Sequence, residues 1–252
     1  MSSPPELQAG VAGRFALETL TLGEGEVCAT FRRSFYLKIN DRYACVGDPS
    51  LGRGPLNALV RDFAMPAMGE RIAVRVDHAV PWEPRVGRPA LDAKALRGAP
   101  IPAEGLGCLI LGKHNGLAMH AQPALDAIDR WLEGHSLAQD AEALIGLGPG
   151  LTPSGDDYLG GVLIALHQLE RKAQAHGLWR WLEPRLPRTS AISGAHLKAA
   201  AMGEGHEALH VCLHALCSSN ADWTSALTAL DAVGHCSGWD GLAGALAVAK
   251  FS

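Results

Sequence analysis

Two adjacent carboxylates, Asp156 and Asp157, stand in GLGPGLTPSGDDYLGG (146–161), after Gly146, Gly148, Pro149, Gly150, Pro153 and Gly155. A carboxylate placed this way can accept a hydrogen bond from a substrate amide, act as a base, or hold a Mg²⁺ ion through water. The glycines and prolines ahead of it fix the backbone path, which suits a loop whose own amides must point at a ligand. A second stretch echoes the first: SGWDGLAGALAV (237–248) matches SGDDYLGGVLIA (154–165) in Ser, Gly, Asp, Leu, Gly and Leu at identical offsets. Both copies fit a helix start with a capping box, in which Ser154 or Ser237 caps and Asp157 or Asp240 reaches back to the serine amide. On that reading Asp157 is used by its cap. Asp156, which aligns with Trp239 and lies about 100° away around the helix, is the freer group.

Several other patterns compete for chemistry. HEALH (206–210) has the spacing of a zinc-protease helix, but His214 lies too far along the helix to complete a tetrahedron with His206 and His210, and a packed or solvated histidine face accounts for it better. His114 and Asn115 in GKHNG can reach a ligand or form an ordinary Asn-Gly turn. His167 reads as a core histidine. The cysteines (Cys28, Cys45, Cys108, Cys212, Cys217 and Cys236) form no C-x-x-C pair, which reads as reduced thiols in a cytoplasmic protein. The chain opens MSSPPELQAG, without a basic-then-apolar signal segment, and no apolar run reaches the length of a membrane span.

The elements that must carry these residues fall into two textures. In the first part, Phe15–Leu22, Val27–Ile39, Tyr43–Val46 and Arg71–Val76 read as strands, separated by turns at 23–25, 40–41 and 47–57. The Pro- and Gly-rich segment 81–105 reads as a connection, and Leu106–Leu111 as a return to the sheet. After His114, alanine- and leucine-rich stretches predict helices over 123–132, 137–145, 154–172, 190–202, 207–216, 223–233 and 238–250. The expected class is α+β: a β-rich N-terminal lobe (1–112), as an antiparallel meander or small barrel, followed by an all-α lobe (113–252) carrying both glycine motifs. At 252 residues and 48% hydrophobic content the chain can fill such cores, and a net charge of −4 without charge runs gives no footprint for nucleic acid or a membrane surface.

GLGPGLTPSGDD, followed by PRTSAIS (187–193) and GHCSGWDGLAG (234–244), resembles the bacterial family of AllH-like subunits of oxamate carbamoyltransferase; GRGPLN (52–57) resembles it more loosely. The resemblance implies a place in anaerobic allantoin and purine degradation, in a multi-subunit enzyme that interconverts oxalurate plus phosphate with oxamate plus carbamoyl phosphate. It also implies other subunits as partners, and serine or threonine in relatives at the position of Cys236. Cys236 follows His235 and precedes a helix start, where a thiol pKa falls. Carbamoyl phosphate and oxamate are anions, and transfer passes through a tetrahedral centre bearing oxygen charge, so backbone amides and an arginine suit it. The expected anion-binding set is Gly148, Gly150, Thr152, Ser154, Gly155, Arg188, Thr189, His235, Ser237, Gly238 and Asp240, with Asp156 and Asp157 as catalytic carboxylates. No cofactor is expected beyond the option of Mg²⁺ at Asp156. Two alternatives stand beside this one: a metal-assisted phosphate-ester or amide hydrolase using Asp156 and Asp157, and a non-catalytic scaffold whose glycines serve helix packing.

Overall fold

The computed structural model describes residues 6–84, 96, 99–215 and 223–251. Cys217 and much of the expected connection over 81–105 lie outside them. The chain divides into two compact units, Met1–Pro84 and Arg85–Ser252.

The first unit is a small closed barrel. Its strands are β1 (Glu6–Gly13), β2 (Gly25–Thr30), β3 (Ser34–Ile39), β4 (Arg42–Gly47), β5 (Asn57–Val60), β6 (Arg71–Arg75) and β7 (Val80–Trp82). They run in the order β5-β4-β3-β2-β6-β1-β7, and an additional β1–β5 pairing closes the ring. It is not purely antiparallel, because β1 pairs in parallel with β6 and β7, and β4 does so with β5. Phe35, Leu37 and Ile39 on β3, Val46 on β4 and Val60 on β5 alternate into the core, as the two-residue period of a half-buried strand requires. The long run 27–39 is two strands rather than one. Asn40 turns β3 into β4 at φ 53°, a left-handed conformation that asparagine tolerates.

One expected strand is a helix. Phe15–Leu22 forms most of α1 (Arg14–Leu20), because Ala16, Thr19 and Leu20 recur at helical spacing and are the residues it buries, while Arg14 and Glu18 pair one turn apart.

The second unit is helical: α2 (Gly116–Leu132), α3 (Ser154–Gln168), α4 (Lys172–Leu182), α5 (Ala191–Ala200), α6 (Glu207–Ala215), α7 (Trp223–Asp231) and α8 (Ser237–Ala249). Helix α2 begins before Pro123, at an N-cap where Asn115 Oδ1 accepts from the Ala118 amide at 2.8 Å. Asn115 is thus a cap, and its Nδ2 also donates to the carbonyls of Ala103 and Gly105. Leu106–Leu111 does not return to the sheet: Gly107–Leu111 is a 3-10 turn, and Leu106 and Cys108 belong to the helical core. The stretch 137–145 is likewise 3-10 over Gln139–Leu144. The predicted helix over 154–172 stops at Gln168, where Glu170 adopts φ 59°, and α4 follows as a separate helix.

Helices α3 and α8 form the centre of this unit. Both are buried on nearly every side, and their glycines meet reciprocally. A Cβ added to Gly161 would lie 1.9 Å from the Gly241 carbonyl oxygen, and one added to Gly244 would lie 1.9 Å from that of Tyr158. Gly161 and Gly244 are equivalent positions of the sequence echo, as are Tyr158 and Gly241, so the two copies pack against each other with a local pseudo-two-fold relation. The contact is backbone against backbone, closer than any side chain permits.

Gly161→Ala and Gly244→Ala are therefore expected to cost about 3 kcal/mol or more each, since the helices must part to admit a methyl group. Gly160→Ala on the same helix meets only the Ala200 Cβ at 3.7 Å and is expected to be neutral or stabilising by up to about 1 kcal/mol. Thermal unfolding of the three variants measures this. Equal effects at 160 and 161 would contradict the close packing.

Candidate functional site

The paired helices bring their first turns together. Thr152, just ahead of α3, places its Oγ1 3.0 Å from Ser237 Oγ on the first residue of α8. The two capping boxes expected there do not form: Pro153 and Cys236 occupy the N-cap positions, and neither makes a side-chain cap hydrogen bond. The serine–aspartate partnerships are crossed instead. Ser154 faces Asp240 and favours its ionised form, and Ser237 with Thr152 does the same for Asp157. Each serine thus serves the carboxylate of the other copy.

Asp240 is 1% exposed. Its Oδ1 accepts the amides of Leu106 at 2.6 Å and Gly107 at 2.9 Å, whereas its Oδ2 is sealed from solvent with no hydrogen-bond partner. Burial pushes its pKa up to about 6 against the pull of Ser154 and the two amides. Asp157 is half-buried as a residue, yet its Oδ2 is also sealed and unpartnered. Burial raises its pKa well above the usual carboxylate range, and the charges of Asp240 and Asp156 add to that rise.

Asp156 behaves differently. It is 2% exposed, and its Oδ1 accepts the Gly146 amide at 2.9 Å. Its Oδ2 accepts the hydroxyls of Thr189 and of Ser193, the latter at 2.6 Å. The order expected from the echo is thereby reversed: Asp156 is committed to hydrogen bonds, and Asp157 carries the unpaired oxygen. The echo could not show this, because the two hydroxyl partners of Asp156 come from the RTSAIS segment and the third partner, the Gly146 amide, lies outside the echoed stretch.

Thr189 and Ser190 were expected to offer hydroxyls to an anion; in the structure the Thr189 hydroxyl is taken up by Asp156 and the Ser190 hydroxyl by the loop carbonyl of Leu151. Ser190 is the N-cap of α5, accepting from the Ser193 amide at 2.9 Å, and its hydroxyl donates to the Leu151 carbonyl. The Arg188 guanidinium pairs with Glu142, which also holds Arg185 at 3.0 Å. Gly155 and Gly238 are packing positions: a Cβ on Gly155 would meet the Leu144 carbonyl oxygen at 2.0 Å, and one on Gly238 that of Leu230 at 2.3 Å. His235 is exposed and lies 3.8 Å from Glu104. The Cys236 thiol is pushed up to about 11, chiefly by burial and then by Asp240, Glu104, Asp157 and Asp231, so the lowering expected from its helix-start position is overridden.

The loop itself remains open. Gly148 and Gly150 adopt φ 110° and 92°, and Pro149, Gly150 and Leu151 are exposed. The amides of Gly155, Asp156 and Asp157 are used by Leu147 and Pro153 carbonyls. Those of Gly148, Gly150, Leu151 and Thr152 donate to no acceptor among the described residues. Sequence reasoning missed Glu104, Leu106 and Gly107, which reach the helix tips from a segment without a motif of its own, and it did not single out Ser193 within PRTSAIS.

Residues 144–249 match the family described as oxamate carbamoyltransferase subunit AllH, a span that opens at the glycine loop and closes with α8. Over that span the match bears out the resemblance read from the sequence. Neither the curated proteins nor the solved structures provide a match.

Inside the matched span, Ala208, Leu209 and His210 of HEALH are buried in the core, while His206 and Glu207 are half-buried. His210 is 4% exposed; its Nε2 accepts the Gly205 amide at 3.0 Å, and its Nδ1 faces the Gln168 side-chain amide at 2.9 Å. With Nε2 accepting from Gly205, the neutral ring carries its proton on Nδ1, and the Gln168 amide turned to present Oε1 accepts it. Burial lowers its pKa from 6.5 to about 4, helped by His206, and His196 is lowered to about 4 in the same way. The unfolded chain takes up these protons below about pH 6.5 and the folded chain does not, so this stability is fully present above pH 6.5 and is lost as pH falls toward 4. His210→Gln is expected to melt lower than the parent at neutral pH and to lose less on acidification. Melting curves between neutral and acid pH check this; parallel losses would contradict a neutral buried His210.

Proposed function

We infer that this chain acts as the AllH-type subunit of an oxamate carbamoyltransferase, and that its own contribution is to hold a small anion, carbamoyl phosphate or oxamate, on the 148–152 loop. The family match over 144–249 supports the subunit assignment. The observation that carries the anion site is the set of four uncommitted amides at Gly148, Gly150, Leu151 and Thr152. Successive N–H groups around glycines of positive φ make a concave donor surface for phosphate or carboxylate oxygens. The hydroxyls of Thr152 and Ser237 extend it, and two helix starts lie beneath it.

In the implied reaction, phosphate attacks the carbamoyl carbon of oxalurate and oxamate leaves, or the reverse. The carbon passes through a tetrahedral stage, and oriented amides stabilise the oxygen charge that develops there. Asp157, with an unpaired oxygen and a raised pKa, is the carboxyl suited to donate a proton to the departing oxamate nitrogen, and to take it back when oxamate attacks in the reverse direction. Asp156 positions the loop through Gly146 and ties it to Thr189 and Ser193. Arg188 belongs to a pair of guanidinium groups sharing Glu142, which leaves positive charge over for a carboxylate or phosphate.

The scaffold reading has its own support, since Gly155, Gly161, Gly238 and Gly244 are consumed by packing. The hydrolase reading requires Mg²⁺ at Asp156, whose oxygens are taken by one amide and two hydroxyls. Calorimetric titration with phosphate, carbamoyl phosphate and oxamate, of the chain alone and with the other subunits of that enzyme, separates the first two. The expected result is binding that weakens about tenfold in Thr152→Val, about 1.4 kcal/mol. Absence of binding heat with and without the other subunits would leave the scaffold.

A further inference from the structure

Beside the start of α8, side chains of metal-binding type converge. Glu104, His235 and Cys236 each present one ligand atom, and these atoms lie within 4.8 Å of one another. Glu104 precedes the 3-10 turn at Gly107–Leu111, while His235 and Cys236 form the turn into α8. In a tetrahedral zinc site with bonds of about 2.0–2.3 Å, neighbouring ligand atoms are roughly 3.3–3.8 Å apart. Closing the present cluster therefore asks for a shift of about 1 Å. The His235 and Glu104 side chains, 82% and 68% exposed, are free to supply it by small rotations, whereas Cys236 is buried.

A second observation points to the same place. Asp240 Oδ2 is buried and has no donor, in a protein whose other buried carboxylate at this end, Asp156, is fully engaged. The residue following Glu104 is Gly105, and a Cβ built there would lie 2.9 Å from Asp240 Oδ2 and 2.9 Å from the Cys236 Cβ. Both oxygens of the Asp240 carboxylate, Oδ1 at 2.5 Å as well as Oδ2, and the Cβ of Cys236 thus crowd one glycine, with Glu104 attached to it. Asp157 and Asp231 add negative charge around the thiol. A cation would balance this concentration of acid, and a thiol with an imidazole beside it selects a borderline-soft ion over Mg²⁺.

The geometry points to a zinc-type divalent metal site formed by a Glu104 carboxylate oxygen, an imidazole nitrogen of His235 and Cys236 Sγ, with Asp240 as its buried anionic support. On binding, Cys236 releases its thiol proton to solvent as the sulfur–metal bond forms, His235 binds as neutral imidazole, and a fourth position stays open to water or a small ligand. The site stands independently of the anion reading, since no ligand to the metal comes from the 148–152 loop.

The test is titration of the full chain, freed of metal with a chelator, with Co²⁺ and separately with Zn²⁺. The expected result is a near-ultraviolet thiolate-to-cobalt charge-transfer band that saturates at one equivalent and is displaced by Zn²⁺. Cys236→Ser should abolish the band while leaving the metal-free melting curve unchanged, and His235→Ala and Glu104→Ala should each weaken Co²⁺ binding at least tenfold. A missing band, a band that survives Cys236→Ser, or affinity unaltered in both other variants would overturn the assignment.

Discussion

Everything at the proposed site depends on two backbones touching. Gly161 rests on the carbonyl of Gly241 and Gly244 on that of Tyr158, and no other residue type leaves room for this contact. Because the matching positions come from an internal echo, the contact is reciprocal and sets the two helices side by side with their starting turns together. That arrangement has an electrostatic cost, since two positive dipole ends are brought close. Asp157 and Asp240 answer it with a carboxyl at each start, and each is served by a hydroxyl from the opposite copy.

The carboxyls at this end have divided their work. Asp156 binds the glycine loop to the segment before α5, and so couples loop geometry to helix packing. Asp157 and Asp240 keep one buried oxygen each without a donor, a state that costs stability and that proteins retain mostly where a site needs it. The glycine-rich loop above them is built in the opposite sense, offering donors without acceptors.

Much of this was legible in the chain itself. The change from strand-like to alanine-rich texture gave the two kinds of unit, and the echo gave the two central helix starts together with the glycines that let them meet. Phe15–Leu22 misled because its aromatic and threonine content suits a strand, whereas burial of Ala16, Thr19 and Leu20 on one side decided for a helix. Leu106–Leu111 misled because a short apolar run carries no period, and its place in the helical core depends on contacts with α8. The capping boxes followed local rules for an isolated helix; with a second helix start alongside, the serines found better acceptors across the pair. Glu104 had no local signal, and Ser193 stood in PRTSAIS with nothing to mark it as a partner of Asp156, since both roles arise from tertiary proximity.

The account rests on the two helix starts meeting at Thr152 and Ser237, and a cysteine at each position measures that directly. The hydroxyl oxygens are 3.0 Å apart, within the reach of a disulfide. Mild oxidation of the Thr152→Cys/Ser237→Cys variant should give an intramolecular cross-link, located by peptide mass mapping to those two positions, in nearly all of the folded chain. Persistence of both thiols in folded protein, or pairing of either with a native cysteine instead, would contradict it.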